Sequence, residues 1–172
     1  MTSQVLFTRD EIQEKVTQIA SQIEDYYQDR YQDLVIIVVY NGAMFFAADL
    51  LKQVKLNCEI IGVQASSYNG GLESTLKVDI LSKMPSVTNK HILIIDDIYD
   101  TGITLNSLSK SLRDDGALTV EICVLLNKKI QKTVNLDILF WGFEVPNKFV
   151  FGYGLDINNR FRNLDYIAQH EF

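Results

Sequence analysis

The strongest chemical signal in the sequence is the run from Ile94 to Thr104, Ile-Ile-Asp-Asp-Ile-Tyr-Asp-Thr-Gly-Ile-Thr. Two adjacent carboxylates, Asp96 and Asp97, follow an apolar stretch. The segment from Asp100 onward then offers successive backbone N–H groups, two hydroxyls and a glycine that permits close approach. Such a turn before a helix binds phosphate, and carboxylates beside it suit the hydroxyls of a sugar. The Gly-x-x-x-x-Gly-Lys-Ser/Thr pattern of P-loops is absent from the sequence. The run therefore predicts a site for a ribose phosphate.

A purely structural interpretation of the same run is available. Asp96, Asp97 and Asp100 would then be solvated loop acids, and Thr104 would cap a helix. We prefer this alternative for any one acidic pair taken alone. For the complete arrangement we prefer the phosphate site.

The elements around this run predict a parallel α/β sheet. Three short runs are apolar on both faces, as strands buried inside a parallel sheet are, and helical patterns follow two of them. Ligands bind beyond the carboxyl ends of such strands. The capping box Thr8-Arg-Asp-Glu11 predicts a helix that ends near Arg30. The expected strands are 34–39, 60–63, 76–80, 91–95 and 118–126, with further pieces near Leu139 and at 149–153, and the expected helices include 43–51 and 104–112.

Length and composition limit the class of protein. The 172 residues suit one domain, and 47% hydrophobic residues exclude wholesale disorder. The net charge of −6 counts against a protein that mainly neutralises nucleic-acid phosphates. Cys58 and Cys123 lack metal-ligand spacing and are expected to be buried, reduced thiols. With no signal-peptide pattern and no apolar run long enough to span a bilayer, we expect a cytoplasmic protein without membrane or nucleic-acid partners.

The run 94–104 resembles the phosphoribosyl pyrophosphate motif of the type I phosphoribosyltransferases. The rest of the chain narrows the resemblance to the hypoxanthine-guanine phosphoribosyltransferases. Residues 39–49 resemble their pyrophosphate loop and the following helix, and 66–75 resemble their flexible catalytic loop. Residues 141–156 and 160–164 resemble their purine-binding hood, which is the most specific part of the match. The resemblance implies a type I phosphoribosyltransferase fold in one domain, 1–172, with a parallel-sheet core over about 1–135 and a small C-terminal hood mainly over about 136–172.

The resemblance also implies a role for individual residues. Asp100 would be the general base near N7 of the incoming purine. Asp96 and Asp97 would hold the ribose hydroxyls, directly or through Mg²⁺, and Asp156 would also bind Mg²⁺. The implied nucleotide-binding residues further include Ile98, Tyr99, Thr101, Gly102, Ile103 and Thr104. The implied purine-binding residues are Lys128, which would select a 6-oxo group, Phe149, Val150 and Asp156. The implied pyrophosphate-binding residues are Asn41, Gly42, Ser67, Tyr68 and Arg162.

Each outlying residue also has a structural interpretation. Lys128 could end a strand as a solvated cation, Phe149 could be core, and Asp156 with Arg162 could be a surface ion pair. Their joint order in the family pattern, rather than any one of them, favours the functional interpretation.

Four positions depart from the family pattern. Where the family has Leu-Lys-Gly or Leu-Arg-Gly in the pyrophosphate loop, this chain has Tyr40-Asn41-Gly42, which removes a cation. Tyr99 replaces a usual aliphatic residue, and Asp96 replaces the commoner Glu.

We therefore expect a purine salvage enzyme that makes inosine and guanosine monophosphates from phosphoribosyl pyrophosphate, hypoxanthine and guanine with Mg²⁺. A phosphoribosyl-pyrophosphate-sensing regulatory protein is the alternative from another class, and a transferase that prefers xanthine or a pyrimidine differs only in its base. The resemblance further implies a homodimer or homotetramer.

Overall fold

The computed structural model describes residues 3–28, 34–66, 77–79 and 86–170. Ser67, Tyr68 and most of the expected catalytic loop lie outside these ranges. The elements in chain order are β1 (Ser3–Phe7), α1 (Arg9–Tyr27), β2 (Leu34–Tyr40), α2 (Met44–Leu51), β3 (Cys58–Ser66), β4 (Lys77–Asp79), β5 (His91–Tyr99), α3 (Ile103–Asp114), β6 (Thr119–Lys128), β7 (Phe140–Val145), β8 (Val150–Phe151) and β9 (Ile167–His170).

The expected parallel α/β sheet is confirmed. Six strands lie in the order β4-β3-β2-β5-β6-β7, and all neighbours are parallel except β4, which is antiparallel to β3 at one edge. The central strands β2 and β5 are buried on both faces because their side chains are apolar at nearly every position. Helices α1 and α2 pack on one face, and α3 packs on the other. The carboxyl ends of β2 and β5 therefore meet beside the starts of α2 and α3.

The start of α1 is the capping box that the sequence predicts. The Thr8 backbone N–H donates to Oε2 of Glu11 at 2.8 Å, and the Glu11 N–H donates to the Thr8 hydroxyl at 3.4 Å. The helix ends at Tyr27, earlier than expected, and Arg30 lies outside the described residues. Its apolar face is fully buried against the large sheet and α2.

A second sheet of three antiparallel strands has the order β1-β9-β8. The sequence analysis did not predict β1 or β9, because neither carries a two-faced apolar run. Through this pairing Ser3 lies opposite His170, so strands from both ends of the chain share one small sheet. Strand β7, which falls inside the range expected for the hood, instead pairs with β6 in the large sheet.

The two thiols differ in their surroundings. Cys123 is buried, whereas Cys58 is only partly buried, and both are free. Burial raises the pKa of each thiol. Within the described ranges, no helix is long and apolar enough to cross a membrane.

Candidate active site

A cleft of about 270 Å³ opens at the carboxyl ends of β2 and β5. It is the place where the sequence expects the phosphate site. Eight of the predicted site residues line it: Gly42, Asp96, Asp97, Ile98, Asp100, Thr101, Gly102 and Thr104. Val39, Tyr40 and Leu105, which are not among the predicted site residues, complete the lining.

The acidic pair is held within strand β5 rather than at its end. The strand continues to Tyr99, and the ladder to β6 pairs Asp96 with Val124 and then Ile98 with Leu126, so Asp97 lies between two paired residues. Asp96 is only 7% exposed, and its Oδ1 accepts the Asp97 N–H at 2.9 Å. Burial, followed by the charge of Asp97, raises the pKa of Asp96. Burial also raises the pKa of Asp97, opposed by hydrogen bonds and by the Arg162 charge. Two crowded carboxylates of this kind are stabilised by hydroxyl donors or a cation.

The turn after β5, which the sequence predicts to bind phosphate, enters α3 through a glycine in the left-handed conformation. Gly102 has φ +86°, and a Cβ there would collide with the carbonyl oxygen of Val134. Helix α3 starts at the next residue, and its first backbone N–H groups have no partner one turn earlier in the helix. Thr101 and Thr104 place hydroxyls in the same cleft. The exposed Ile103 is not among its lining residues, and Tyr99 packs into the core beside α3.

The predicted base and the predicted purine-selecting lysine lie together. Lys128 Nζ donates to Oδ2 of Asp100 at 3.1 Å. Asp100 directly follows β5 and Lys128 is the last residue of the neighbouring parallel strand β6, which explains how positions 28 apart in sequence meet. The side chain of Lys128 is 16% exposed and that of Asp100 is 44% exposed, so the pair faces outward from the strand ends.

The loop that is predicted to bind pyrophosphate packs closely against two other parts of the molecule. A Cβ at Gly42 would collide with the carboxylate of Asp97, so only glycine fits beside the acidic pair. On the other side, a Cβ at Gly154 would collide with the carbonyl oxygen of Gly42. Asn41 is exposed, and the Tyr40–Asn41 peptide bond is cis. Gly154 was missed by the sequence analysis, although two glycines around Tyr153 were the available signal.

The remaining predicted residues lie in the segment that carries the small sheet. Arg162 pairs with Asp156 at 2.8 Å, and its Nη1 donates to the Gly154 carbonyl at 2.7 Å. Arg162 is thus linked to the cleft in two ways. It holds the backbone of Gly154, and its positive charge acts on the pKa of Asp97. Val150 is buried in the core, and the Phe149 side chain is 46% exposed. Lys128, Phe149, Val150, Asp156 and Arg162 are not among the described residues that line the cleft.

Comparisons with known proteins agree with this geometry. Residues 8–158 match the model of the phosphoribosyl transferase domain. The chain is 36% identical over 171 residues to the hypoxanthine phosphoribosyltransferase of Escherichia coli K12, covering 98% of this chain and 95% of that one. It is 34% identical over 169 residues to the hypoxanthine-guanine phosphoribosyltransferase of Mycobacterium tuberculosis, covering 95% and 84%. A crystal structure of a hypoxanthine-guanine phosphoribosyltransferase from Bacillus anthracis superposes with a TM-score of 0.88 at 34% identity, covering 98% of both chains.

Proposed function

The chain belongs to the hypoxanthine-guanine phosphoribosyltransferases, and from that premise we propose how its residues perform the reaction. The enzyme acts in purine salvage: it transfers the 5-phosphoribosyl group of phosphoribosyl pyrophosphate to N9 of hypoxanthine or guanine and releases pyrophosphate. The observation that carries the proposed mechanism is the Asp100–Lys128 pair at the mouth of a phosphate-binding turn.

The purine lies against this pair. Lys128 donates a hydrogen bond to the 6-oxo group, which adenine lacks, and Asp100 accepts the proton from N7 as N9 attacks. The N9–C1 bond forms while the bond from C1 to the pyrophosphate oxygen breaks, and the electron pair leaves with pyrophosphate. A carboxylate at hydrogen-bond distance suits this proton transfer. Phe149 stacks on the base, and the backbone of Val150 meets its edge.

The sugar and its phosphates occupy the cleft. Backbone N–H groups and hydroxyls of the turn from Ile98 to Thr104 bind the 5′-phosphate, as the start of a helix favours an anion. Asp96 and Asp97 hold the ribose hydroxyls. The pyrophosphate is bound by Asn41, Gly42 and Arg162. Ser67 and Tyr68, which the family resemblance adds to this set, lie outside the described residues.

Mg²⁺ fits the acidic pair, because burial and mutual repulsion of Asp96 and Asp97 are relieved by a cation. Within the described ranges no three acidic, histidine or cysteine residues group as a complete metal site. Asp96, Asp97 and Asp156 therefore do not surround one ion together. We propose that the acidic pair and Asp156 would each hold a Mg²⁺ that takes its remaining ligands from substrate and water. When bound, Mg²⁺ neutralises charge that develops on the departing pyrophosphate.

We further propose a single domain that works in the cytoplasm as a homodimer or homotetramer. The pairing of β1 with β9 supports one domain because it joins both ends of the chain in one sheet. Two exposed apolar side chains support association with a second copy. Leu139 directly precedes the edge strand β7, and Trp141 lies on it. Sedimentation of the full chain checks the oligomeric state.

The test is nucleotide formation from phosphoribosyl pyrophosphate and Mg²⁺ with hypoxanthine, guanine, xanthine, adenine and uracil. The proposal expects product with hypoxanthine and guanine and none with adenine or uracil. Equal turnover of adenine would contradict the role of Lys128. A preference for xanthine in a competition between bases would replace the substrate but not the reaction.

A further inference from the structure

The segment that follows β6 contacts the backbone beside Asp100 and Lys128. The proposed binding of substrate gives this segment no role. The β5–β6 ladder has its last registered pair at Tyr99 and Asn127. Asp100 and Lys128 are the next residue of each chain segment, so the sheet hydrogen bonds that fix the two strands relative to each other stop just before them.

Lys132 connects the two strand ends at this point. Its Nζ donates to the carbonyl of Tyr99 at 2.8 Å and to the carbonyl of Lys128 at 2.6 Å. One ammonium group therefore holds the peptide that leads into Asp100 and the peptide that leaves Lys128. Burial lowers the pKa of Lys132, while the nearby Asp100 charge opposes this shift. Since lysine hydrogen bonds to carbonyls keep their strength where water is partly excluded, both carbonyls are firmly held.

The aromatic ring of Tyr99 packs against the ammonium group of Lys132. The Lys132 ammonium lies 4.0 Å from the centre of the Tyr99 ring, within the range of a cation–π contact. The Tyr99 hydroxyl donates to the Val134 carbonyl at 2.8 Å and accepts the Leu136 N–H at 2.9 Å. The ring is only 4% exposed. An aliphatic side chain at position 99 offers none of these three interactions, so the departure from the family pattern has a structural role in this chain.

The same segment also holds the phosphate-binding turn. The N–H groups of Thr133 and Val134 both donate to the carbonyl of Thr101, at 3.1 and 3.0 Å. The Val134 carbonyl oxygen lies 2.4 Å from the position that a Cβ of Gly102 would take, too close for any side chain there. Residues 132–136 thus contact the base-side pair and the phosphate turn together.

We propose that Lys132, seated on Tyr99, is a positioning residue that sets the separation of Asp100 and Lys128 and thereby the rate and base selectivity of the reaction. It acts through the backbone of its neighbours and does not touch substrate. The inference rests on the proposed roles of Asp100 and Lys128. A displacement of about 1 Å between reacting groups lowers turnover by as much as about 100-fold, which sets the expected scale.

The experiment compares Lys132→Met with Lys129→Met in the full-length enzyme. Lys129→Met is the matched control because it removes the same charge three residues earlier. Wild-type Lys129 makes an exposed ion pair with Glu144. For Lys132→Met we expect kcat with hypoxanthine to fall about 10- to 100-fold, preference for hypoxanthine over adenine to weaken, and KM for phosphoribosyl pyrophosphate to change little. Lys132→Arg, which keeps two donors for the carbonyls, restores most of the turnover. If Lys132 only stabilised the fold, its replacement would lower the unfolding temperature and leave these kinetic constants unchanged.

Two further variants keep the test decisive. Tyr99→Phe retains the ring and the carbonyl but leaves two backbone groups of residues 134 and 136 unpaired, so it should lower kcat in the same direction by a smaller factor, even if Lys132→Met fails to fold. Two results together would overturn the inference. Tyr99→Phe would have the kcat and base selectivity of wild type, and Lys132→Met would have the same kcat and base selectivity as Lys129→Met. Asp100→Asn in the same assay separates the two claims. If it is inactive while Lys132→Met is normal, only the positioning role fails, and if it is fully active, both fail.

Discussion

The two sheets hold the two sides of the site by different physical means. In the large sheet, β5 is paired with β6 at eight registered positions, so the acidic pair and the phosphate turn extend from a rigid ladder. In the small sheet, β8 is paired with β9 at only two positions. The segment that carries Asp156 and Arg162 instead depends on positive φ angles, at Gly152, Tyr153, Gly154, Asn158, Asn159 and Phe161. Single contacts should therefore matter more on the small-sheet side than on the large-sheet side.

The largest effect is expected at the contact between the two sides, where Gly154 lies against the carbonyl of Gly42. Gly154→Ala adds a methyl group that collides with the Gly42 carbonyl at a residue with φ +103°. We expect a loss of about 1–3 kcal/mol of stability from backbone strain and a rise in KM for phosphoribosyl pyrophosphate as Gly42 is displaced. Urea unfolding and steady-state kinetics measure both.

Gly116→Ala is the matched control. Gly116 has a similar φ of +91°, but its nearest neighbour is the Thr88 side chain, with Cγ2 3.3 Å from an added Cβ. Both variants should lose stability, and only Gly154→Ala should change KM. Equal kinetics in the two variants would mean that the Gly154–Gly42 contact does not position the pyrophosphate loop.

Tyr153 attaches the small-sheet segment to α2 by one partly buried hydrogen bond. Its hydroxyl donates to Oδ2 of Asp49 at 2.8 Å, and Gln13 donates to the same oxygen at 3.1 Å. Burial, followed by the bond to Asp49, raises the pKa of the Tyr153 hydroxyl. Tyr153→Phe should lower the free energy of unfolding by about 1 kcal/mol. A double-mutant cycle with Asp49→Ala, which removes the acceptor, checks the assignment, because additive losses would show that the two groups are not coupled.

The smallest effect is expected far from both sides, at the start of α1. The Thr8 hydrogen bonds lower the pKa of Glu11 below its ordinary value of 4.5. An acid whose pKa is lowered by folding stabilises the protein above that ordinary value and loses this effect as the pH falls through the lowered pKa. Glu11→Gln should therefore be slightly less stable than wild type at pH 7, and the difference should vanish in acid. Kinetic constants should not change, and Glu14→Gln in the next turn removes the same charge without touching the cap.

The same contrast explains what the sequence could and could not predict. The buried strands of the large sheet, the capping box and the phosphate turn all follow from local patterns, since apolar runs, Thr8–Glu11 spacing and Gly102 are visible along the chain. The extension of β5 to Tyr99 was missed because Asp96 and Asp97 looked like the end of a strand, whereas the ladder to β6 retains them.

The small sheet follows from pairing between distant segments. Residues 3–7 become a strand only because 167–170 lie beside them, and no local periodicity reports that partner. The Gly42–Gly154 contact and the Lys132 hydrogen bonds to the Tyr99 and Lys128 carbonyls are likewise long-range or backbone-mediated. Family resemblance supplied the expected roles of Asp156 and Arg162, while their mutual ion pair emerged only from the fold.

The most direct test of the central claim is the turnover of Asp100→Asn with hypoxanthine, measured alongside equilibrium binding of phosphoribosyl pyrophosphate. Asp137→Asn, which alters an exposed carboxylate that is not among the described residues lining the cleft, serves as the control. If Asp100 accepts the purine proton, turnover should fall by about 100-fold or more while phosphoribosyl pyrophosphate binding and folding remain close to wild type. Turnover equal to that of Asp137→Asn would contradict the assignment of Asp100 as the base.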